Sequence, residues 1–424
     1  MRPAFVFLVL SIPVWAWQEP QVALSSQVRQ RMAANLASLP NYTCLETIER
    51  TVRRQATKKL LFRDRIHVEV AFLDANETFS WPGAASFDPD LLQKIPQVGA
   101  SGAGGFGGWT RSLFGPSAPN FADAGECVVD SRRGSRYNFS VPASSSTYSV
   151  KAGSGDAMLP YMGSLCVDPD ALEIMQLEIR AGQVPPPVAA IAETIHYGRT
   201  RIGGADFLLP QDHELSVTDV EGNENRNFTR FTACREFTSE STIAFDTEHA
   251  AAPVPQTKTE ELQIPGGISL DLQLETPIAF EESAVGDPIA ARLTRAVKSS
   301  GVSIPKGALV SGRILGLGQY LEPERYFVVS LEFSSLTFGG TRGMFRARLV
   351  GPRLQAEKRL DASGMAIESD MSTPVSGIST PGSSASARSG LDIVDDSASG
   401  SGSFRVRGGN LRLRRGLRMV WETR

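Results

Sequence analysis

A chain of 424 residues is longer than one ordinary hydrophobic core supports, so its length predicts two domains joined by linkers. The 43 basic and 46 acidic residues nearly balance, which argues against nucleic acid as the main partner. The 39 glycines and 26 prolines are typical of an all-β protein with many turns. We therefore expect folded β domains that do not bind nucleic acid.

Residues 1–16 have the pattern of a secretory signal peptide. Arg2 gives a basic start, residues 4–14 are apolar, and small residues before the end of the run favour cleavage after Ala16. The apolar run is short for a membrane span, although an uncleaved anchor is the alternative. No cysteine lies near this site, and no later stretch is long and apolar enough to cross a bilayer. We expect an exported protein, periplasmic or extracellular, with association to the outer membrane left open.

An amphipathic helix opens the predicted N-terminal domain, residues 17–249. Its apolar positions repeat at the i, i+4 spacing of a helix, Ser25 or Ser26 can cap its start, and Pro40 ends it. The stripe consists of Leu24, Val28, Met32 and Leu36. The strand pattern of residues 42–52 and 66–72 follows, with apolar and polar residues alternating.

A glycine-rich tract then interrupts the strands at residues 99–108. It contains a formal GxGxxG, but no strand precedes it, so a dinucleotide site is not indicated. A mobile loop is the plain interpretation. The more specific hypothesis is a lid over an apolar cavity, with glycine hinges and four large apolar side chains. These candidate cavity residues are Phe106, Trp109, Leu113 and Phe114.

The most regular strand pattern runs over residues 159–245. Its turns are predicted at Asp168-Pro169-Asp170, which joins two short strands, and at Gly203-Gly204. Residues 215–218 alternate between apolar and polar. All these signals describe a scaffold, and no catalytic constellation lies on this run.

A second β domain is predicted at residues 263–362 plus 403–424, after a proline-containing linker at residues 250–262. Residues 363–402 are rich in Ser, Gly and Ala and predict a disordered insertion. The chain ends with a predicted hairpin. Its outer arginines predict either a solvated strand face or a basic contact surface for anionic envelope polymers or lipid headgroups. They are Arg405, Arg407, Arg412 and Arg414.

Four cysteines follow the predicted cleavage site, an even number that suggests disulfides in an oxidising compartment. Three connectivities are open, and buried free thiols are the alternative. The nested pattern Cys44–Cys234 with Cys127–Cys166 is the one we favour, since it ties the first strand to the last. The sequence contains no CxxC motif, and no pair of histidines lies near the cysteines. It therefore gives no indication of a zinc site, and no metal is expected.

Two stretches, NYTCLETIER at residues 41–50 and RIGGADFLLP at residues 201–210, are similar to uncharacterised exported bacterial proteins of the lipoprotein-carrier (Lol-type) half-barrel superfamily. Residues 286–314 resemble the periplasmic barrel domain of type IV secretion outer-ring proteins, although the helical antenna and membrane anchor of those proteins are missing. The resemblances imply a mainly β fold, with an N-terminal antiparallel half-barrel sheet, an N-terminal helix, short inserted helices and a second, smaller β-barrel or sandwich. They also imply an apolar-ligand or acyl-chain site on the concave face of the sheet.

The leading functional hypothesis is an exported, non-enzymatic envelope protein that holds an apolar or lipid-like ligand. The alternative is a structural or protein-interaction module of the envelope that takes no small ligand. A hydrolase is the weakest hypothesis, because GxSxG and HExxH are absent and only four histidines are present: His67, His196, His213 and His249. No catalytic residue and no cofactor are predicted.

Overall fold

The computed structural model describes residues 19–73, 76–84, 86–88, 90–95, 107–152, 155–237, 260–299, 301–353, 391–394 and 402–424. The predicted mainly β class is confirmed, because strands dominate and a large antiparallel sheet is present. The chain divides into two compact units. Unit 1 comprises Met1–Pro40 and Gly104–Val220, and unit 2 comprises Asn41–Ala103 and Glu221–Arg424.

The helices and strands follow in chain order, beginning with α1 (Glu19–Ser38), β1 (Tyr42–Arg54), β2 (Lys59–Leu73), β3 (Asn76–Ser80), α2 (Leu91–Lys94), α3 (Gly108–Phe114), β4 (Ala122–Val129), β5 (Arg132–Val141), β6 (Ser149–Ala152), β7 (Gly155–Met158), β8 (Tyr161–Asp168), β9 (Glu173–Ala181), β10 (Val188–Ile202), β11 (Ala205–Asp219) and β12 (Asn223–Glu236). They continue with β13 (Glu260–Gln263), β14 (Ser269–Leu274), β15 (Ile278–Ala279), β16 (Pro288–Leu293), β17 (Val297–Ser299), β18 (Val302–Ile304), β19 (Leu309–Tyr320), β20 (Tyr326–Phe338), β21 (Thr341–Met344), β22 (Ala347–Arg353), β23 (Leu391–Val394), β24 (Gly402–Arg407), β25 (Arg412–Leu413) and β26 (Arg418–Thr423).

Helix α1 carries the predicted apolar stripe. Val28 and Met32 are almost fully buried in the core of unit 1, and Leu24 and Leu36 pack beside them. Asn35 fixes the helix to β11, since its side-chain amide donates to the carbonyl of Leu208 and its oxygen accepts from the amide of the same residue, both at 3.1 Å. The described helix already begins at Glu19, so the predicted cap at Ser25 or Ser26 is wrong. Helix-favouring residues upstream extend the helix past both serines.

The sheet of unit 1 is an antiparallel meander in the order β4, β5, β8, β9, β10, β11. The predicted turn at Asp168 is present, because its carboxylate accepts the backbone amides of Asp170 and Ala171 at 3.0 Å each. The predicted turn at Gly203-Gly204 joins β10 to β11, with Gly203 at a φ of 57°. These short connections explain why neighbours in sequence are neighbours in the sheet.

One disulfide crosses this sheet above a glycine. Cys127 of β4 pairs with Cys166 of β8, and β5 runs between them with Gly134 opposite Cys127. A Cβ on Gly134 would lie 2.5 Å from the carbonyl oxygen of Val167 and 3.1 Å from Sγ of Cys166. Only glycine therefore lets the disulfide pass over the middle strand. The other disulfide, Cys44–Cys234, joins β1 to β12 in unit 2, so both predicted pairs are present.

Unit 2 joins strands from both ends of the chain. β1 lies between β12 and β2, and β3 pairs with β2. A long antiparallel series follows the order β23, β24, β20, β19, β16, β14, β26, β22. The two parts are connected because residues 62–64 of β2 pair with residues 318–320 of β19. Strands from residues 41–103 and 221–424 thus share one compact unit. The division into domains at residues 250–262 stays a prediction.

Two further sequence predictions differ from the structure. The terminal strands do not form a hairpin, because β24 pairs with β20 and β23 while β25 pairs with β15. Alternation identified the strands correctly but carries no information about distant partners. In the predicted disordered insertion, residues 391–394 form β23, which pairs antiparallel with β24. The rest of residues 363–401 lies outside the described residues.

Unit 2 also buries charge on one face of β1 and β2. Arg50 donates through Nε and Nη2 to the two carboxylate oxygens of Asp64, at 2.9 and 2.5 Å. Burial raises the pKa of Asp64 despite the opposing effect of that arginine. Glu46, four residues before Arg50, is 0% exposed, and neither carboxylate oxygen has a hydrogen-bond partner among the described residues. Burial, with a smaller contribution from Glu77, raises the pKa of Glu46 to about 8.

Candidate functional site

The candidate site lies on the helix-covered face of the unit 1 sheet, where buried apolar side chains form one cluster. We call this cluster the apolar interior. It consists of Val28, Met32, Trp109, Leu113, Phe114, Tyr137, Phe139, Val141, Tyr161, Leu165, Val167, Ile174, Leu177, Ile179, Ile195, Tyr197 and Leu208. Successive residues of β8 face opposite sides of the sheet. Leu165 and Val167 belong to the apolar interior, whereas Cys166 packs with a separate small cluster on the opposite face.

Helix α3 covers part of the apolar interior and lies against α1. It supplies Trp109, Leu113 and Phe114, which are 7%, 0% and 3% exposed. The Trp109 ring lies 5.1 Å from the ring of Tyr148 and 5.1 Å from that of Tyr161. Three of the predicted lid residues thus lie together over the sheet. Phe106, the fourth, lies outside the described residues.

A buried carboxylate holds α3 in place. Glu193 of β10 accepts hydrogen bonds from Trp109 Nε1 at 2.9 Å and from the Tyr148 hydroxyl at 2.5 Å. Nε2 of His213 lies 3.0 Å from the same carboxylate and donates to it, because an ionised carboxylate only accepts. Glu193 is 6% exposed and His213 is 3% exposed. One charged group thus links the α3 helix, the segment before β6, and two sheet strands.

The protonation of this cluster follows from its contacts. Burial alone would raise the pKa of Glu193, but the hydrogen bond and charge of His213, together with the donors on Tyr148 and Trp109, lower the pKa overall. The pKa of Tyr148 is raised, by burial first and then by the charge of Glu193. Glu193 is therefore ionised and Tyr148 neutral at neutral pH, which keeps all these hydrogen bonds charge-assisted.

Two hydroxyl groups inside the apolar interior make no such bonds. Tyr137 and Tyr197 are 2% and 8% exposed, and within the described residues neither hydroxyl has a hydrogen-bond partner. Burial raises the pKa of both, so both hydroxyls stay neutral donors. A buried hydroxyl without a partner is destabilising and needs an explanation.

A cavity of about 320 Å³ adjoins α3 on its polar side. Its lining combines Gly108, Arg111 and Ser112 of α3 with Pro116, Ser117, Pro119, Val141, Ser145, Thr147 and Tyr161. Ser117, Ser145 and Thr147 are exposed, so the cavity opens to solvent. The Ser112 hydroxyl lies 2.9 Å from the Tyr161 hydroxyl, where the cavity meets the apolar interior.

The predicted basic surface lies in unit 2, at a distance in sequence from this site. Arg405 packs over the ring of Tyr326, 4.5 Å from its centroid, and Arg412 forms an ion pair with Glu282 at 3.3 Å. Arg407 and Arg414 are exposed. Because β24 and β25 pair with different strands, the four arginines do not share a hairpin face. A basic contact surface stays a prediction.

Sequence reasoning missed Glu193, Tyr148, His213 and Glu46. On β10, Glu193 is on the same side of the strand as Ile195 and Tyr197. On β1, Glu46 is on the same side as Cys44 and Ile48. A carboxylate on the apolar side of an alternating strand was the available signal.

Within the described ranges, no group of three or more His, Cys, Asp or Glu side chains is arranged to hold a metal ion. No helix in the same ranges combines the length and apolar character needed to cross a membrane.

Comparison with known proteins gives few matches. No family model and no curated protein matches the chain. A DUF1329 family protein from Desulfovibrio piger is similar with 11% identity and a TM-score of 0.27, over 53% of this chain and 96% of that one. A putative outer membrane lipoprotein-sorting protein domain from Vibrio parahaemolyticus is similar with 9% identity and a TM-score of 0.22, over 49% and 92%. TM-scores this low support no conclusion about this chain. The resemblance to the type IV secretion barrel stays a prediction.

Proposed function

We propose that this chain is an exported envelope protein that binds an apolar or lipid-like chain in unit 1, with α3 as a displaceable cover. In this proposal Trp109, Leu113 and Phe114 occupy the space that the ligand takes when α3 moves away. The two disulfides support export, because such bonds persist in oxidising compartments. The function is binding, with no chemical step assigned to any residue.

The observation that carries the proposal is how α3 is held. It has seven residues, too few to be stable as a helix alone, and six of the residues 99–108 that lead into it are glycines. Glycine-rich chain loses much conformational entropy when it is ordered, which opposes docking of α3. The cover therefore depends on its apolar side chains and on the bond from Trp109 to Glu193. An apolar ligand that fills the same space can replace these contacts.

The hydroxyl groups of Tyr137 and Tyr197 give independent support. Each is buried in the apolar interior without a hydrogen-bond partner among the described residues. Leaving a hydroxyl in this condition costs on the order of 1–3 kcal/mol. A ligand with an ester or carboxyl oxygen at this depth would accept from these hydroxyls and remove that cost.

The test compares the wild type with a variant that weakens the cover. Leu113→Ala removes a fully buried side chain from α3, and truncations of this kind cost about 2–5 kcal/mol. If docking of α3 competes with the ligand, the open population rises, and affinity for a fluorescent fatty acid should increase by at least about 10-fold. Leu91→Ala is the matched control, since Leu91 is 1% exposed on the short helix α2 of unit 2. Its affinity should equal that of the wild type.

The purified wild-type protein is also analysed by native mass spectrometry and lipid extraction. The proposal is supported if a lipid co-purifies with the protein and if Leu113→Ala, but not Leu91→Ala, binds the fluorescent fatty acid more tightly than the wild type. Absence of lipid together with no probe binding in either variant contradicts it. That result favours the second candidate, a structural or protein-interaction module. The observation in favour of this candidate is that the apolar interior is filled by the protein's own side chains.

A further inference from the structure

Glu193 meets donors from three parts of unit 1, and one of these donors is on the cover. Its Oε2 accepts from Nε1 of Trp109 at 2.9 Å and from Nε2 of His213 at 3.0 Å, and its Oε1 accepts from the hydroxyl of Tyr148 at 2.5 Å. Glu193 itself lies on β10, so the carboxylate belongs to the sheet. In the proposed function α3 moves and takes the Trp109 donor with it, while the carboxylate stays.

The other two donors are held without help from α3. The Tyr148 amide donates to Oγ of Ser146 at 3.0 Å, and its carbonyl accepts from the amide of Leu159 at 2.8 Å. His213 lies on β11, paired with Ile195 of β10 in the same sheet. Both donors therefore keep their places when α3 moves, and the donor that is lost is the indole N–H on Oε2.

Loss of that donor makes the opened interior selective. Glu193 is 6% exposed, and a carboxylate at this depth that gives up a hydrogen bond raises the free energy of the open state. A purely apolar chain offers nothing to this oxygen, and an anionic group would meet a like charge. An uncharged O–H donor at the same place reproduces the contact that the uncharged indole N–H makes in the closed protein.

Tyr197 supplies the complementary group. Its hydroxyl is buried in the apolar interior and has no hydrogen-bond partner among the described residues. The charge of Glu193 acts on this hydroxyl, since it adds to burial in raising the pKa of Tyr197. The carboxylate thus needs a donor once α3 moves, and the tyrosine needs an acceptor. A single ligand hydroxyl is both.

We infer that the apolar chain of the ligand carries a hydroxyl group and that Glu193 selects for it, with the ligand O–H donating to Oε2 in place of the indole N–H of Trp109. The inference rests on the proposed function, because this donor position opens when α3 moves. Glu193 is a specificity residue in this account, since it binds the ligand and takes part in no chemical step. The ligand oxygen then accepts from the hydroxyl of Tyr197.

The test compares two isomers that differ in one respect. Nonan-1-ol and 1-methoxyoctane contain the same atoms, but only the alcohol oxygen carries a hydrogen. Their binding to the full chain is measured by calorimetry at neutral pH. Wild-type protein should bind the alcohol at least about 10-fold more tightly than the ether, because only the alcohol donates to the carboxylate.

Glu193→Gln tests the acceptor. This variant should reduce the preference to less than about 3-fold, because a neutral amide accepts more weakly from the alcohol and can donate to the ether. Glu178→Gln is the matched control. Glu178 lies on β9 with its side chain 43% exposed, and this variant should keep the wild-type ratio.

Trp109→Phe tests the exchange of donors without a change at Glu193. It removes the N–H that competes with the ligand, so both isomers should bind about 10-fold more tightly while their ratio stays that of the wild type. This comparison still decides the question if circular dichroism shows that Glu193→Gln does not fold. A preference that disappears in Trp109→Phe overturns the inference, because the preference then depends on the indole.

The outcomes separate the hydroxyl preference from the proposed function. If both isomers bind equally to the wild type, or if the preference survives Glu193→Gln, the inference is overturned and chain binding stands. A preference that is lost in Glu193→Gln and kept in Trp109→Phe and Glu178→Gln supports the inference. Failure of both isomers to bind contradicts the proposed function as well.

Discussion

Replacing Glu46 with glutamine should make the stability of the protein less dependent on pH. Burial raises the pKa of Glu46 in the folded state to about 8, against an ordinary value of 4.5. Between these two values the unfolded chain has lost the proton while the folded chain keeps it. A raised folded pKa means that the stabilising contribution is fully present below pH 4.5 and is lost as the pH rises through 8.

The magnitude follows from the interval between the two pKa values. Each pH unit changes the free energy of unfolding by about 1.4 kcal/mol while the states differ by one proton. From pH 4.5 to 8 the wild type should therefore lose about 5 kcal/mol through this group. Glutamine has nearly the same shape and does not titrate. The free energy of unfolding of Glu46→Gln minus that of the wild type should thus rise by about the same amount over this interval.

The assay is urea unfolding at pH 5, 6, 7 and 8.5 at constant ionic strength, with the disulfides kept oxidised. Glu49→Gln is the control, because Glu49 lies on the same strand, with its side chain 45% exposed, and pairs with Arg65. Exposed ion pairs contribute little, so this variant should follow the wild type within about 1 kcal/mol at every pH. A difference between Glu46→Gln and the wild type that stays constant from pH 5 to 8.5 would refute the reasoning, since it would mean that Glu46 titrates alike in both states.

Three other substitutions test the packing. Gly134→Ala should lower the free energy of unfolding, measured by thermal unfolding, by about 2 kcal/mol, because the new methyl group meets a backbone oxygen under the disulfide. Gly204→Ala is the control. Its new methyl group meets no atom within 4 Å, so the free energy of unfolding should change by less than about 0.5 kcal/mol. Arg50→Met should cost about 3–5 kcal/mol in urea unfolding by leaving Asp64 buried without its partner, and Arg50→Met with Asp64→Leu should recover most of that loss. Trp109→Phe keeps a six-membered aromatic ring but removes the pyrrole ring with the N–H that donates to a buried carboxylate, and should cost at least about 1.5–3 kcal/mol in the same assay. Equal effects of the two glycine variants, a double variant no better than Arg50→Met, or an unchanged Trp109→Phe would each contradict the corresponding contact.

Local features of the fold were predictable from the sequence because their causes are local. The i, i+4 stripe of Val28 and Met32 predicted α1, and the Asp168 and Gly203 turns predicted where strands reverse. The disulfide Cys44–Cys234 agreed with a sheet in which the first strand meets a late one, and β1 does pair with β12.

Long-range pairing was beyond such reasoning. Phe62 in β2 lies opposite Tyr320 in β19, and no periodicity in either strand specifies that partner. The same holds for β24, whose alternation predicted a strand but whose partners are β20 and β23. Strand identity therefore came from local pattern, and the grouping into compact units came from pairings that only the folded chain shows.

The sequence grouped the large apolar residues after the glycine tract, and Trp109, Leu113 and Phe114 are buried together in the apolar interior. Their role as a lid stays a prediction. The group that anchors this cover, Glu193, is 84 residues from Trp109 along the chain, and its role depends on a convergence that only the fold produces. The position of Glu193 on the apolar side of its strand is a signal that the sequence contains, but that position does not indicate its hydrogen-bond partners.

If α3 leaves the apolar interior when a ligand binds, the side chain of Trp109 reports that movement directly. The protein is labelled with 5-fluorotryptophan, and its ¹⁹F resonances are assigned with Trp109→Phe and Trp421→Phe. Trp109 is 7% exposed and Trp421 is 0% exposed, in units 1 and 2 respectively. During titration with dodecanoate, the Trp109 resonance should shift saturably and become sensitive to solvent, while the Trp421 resonance stays unchanged. A Trp109 resonance that remains buried while dodecanoate binds, or that never responds because nothing binds, would contradict the account.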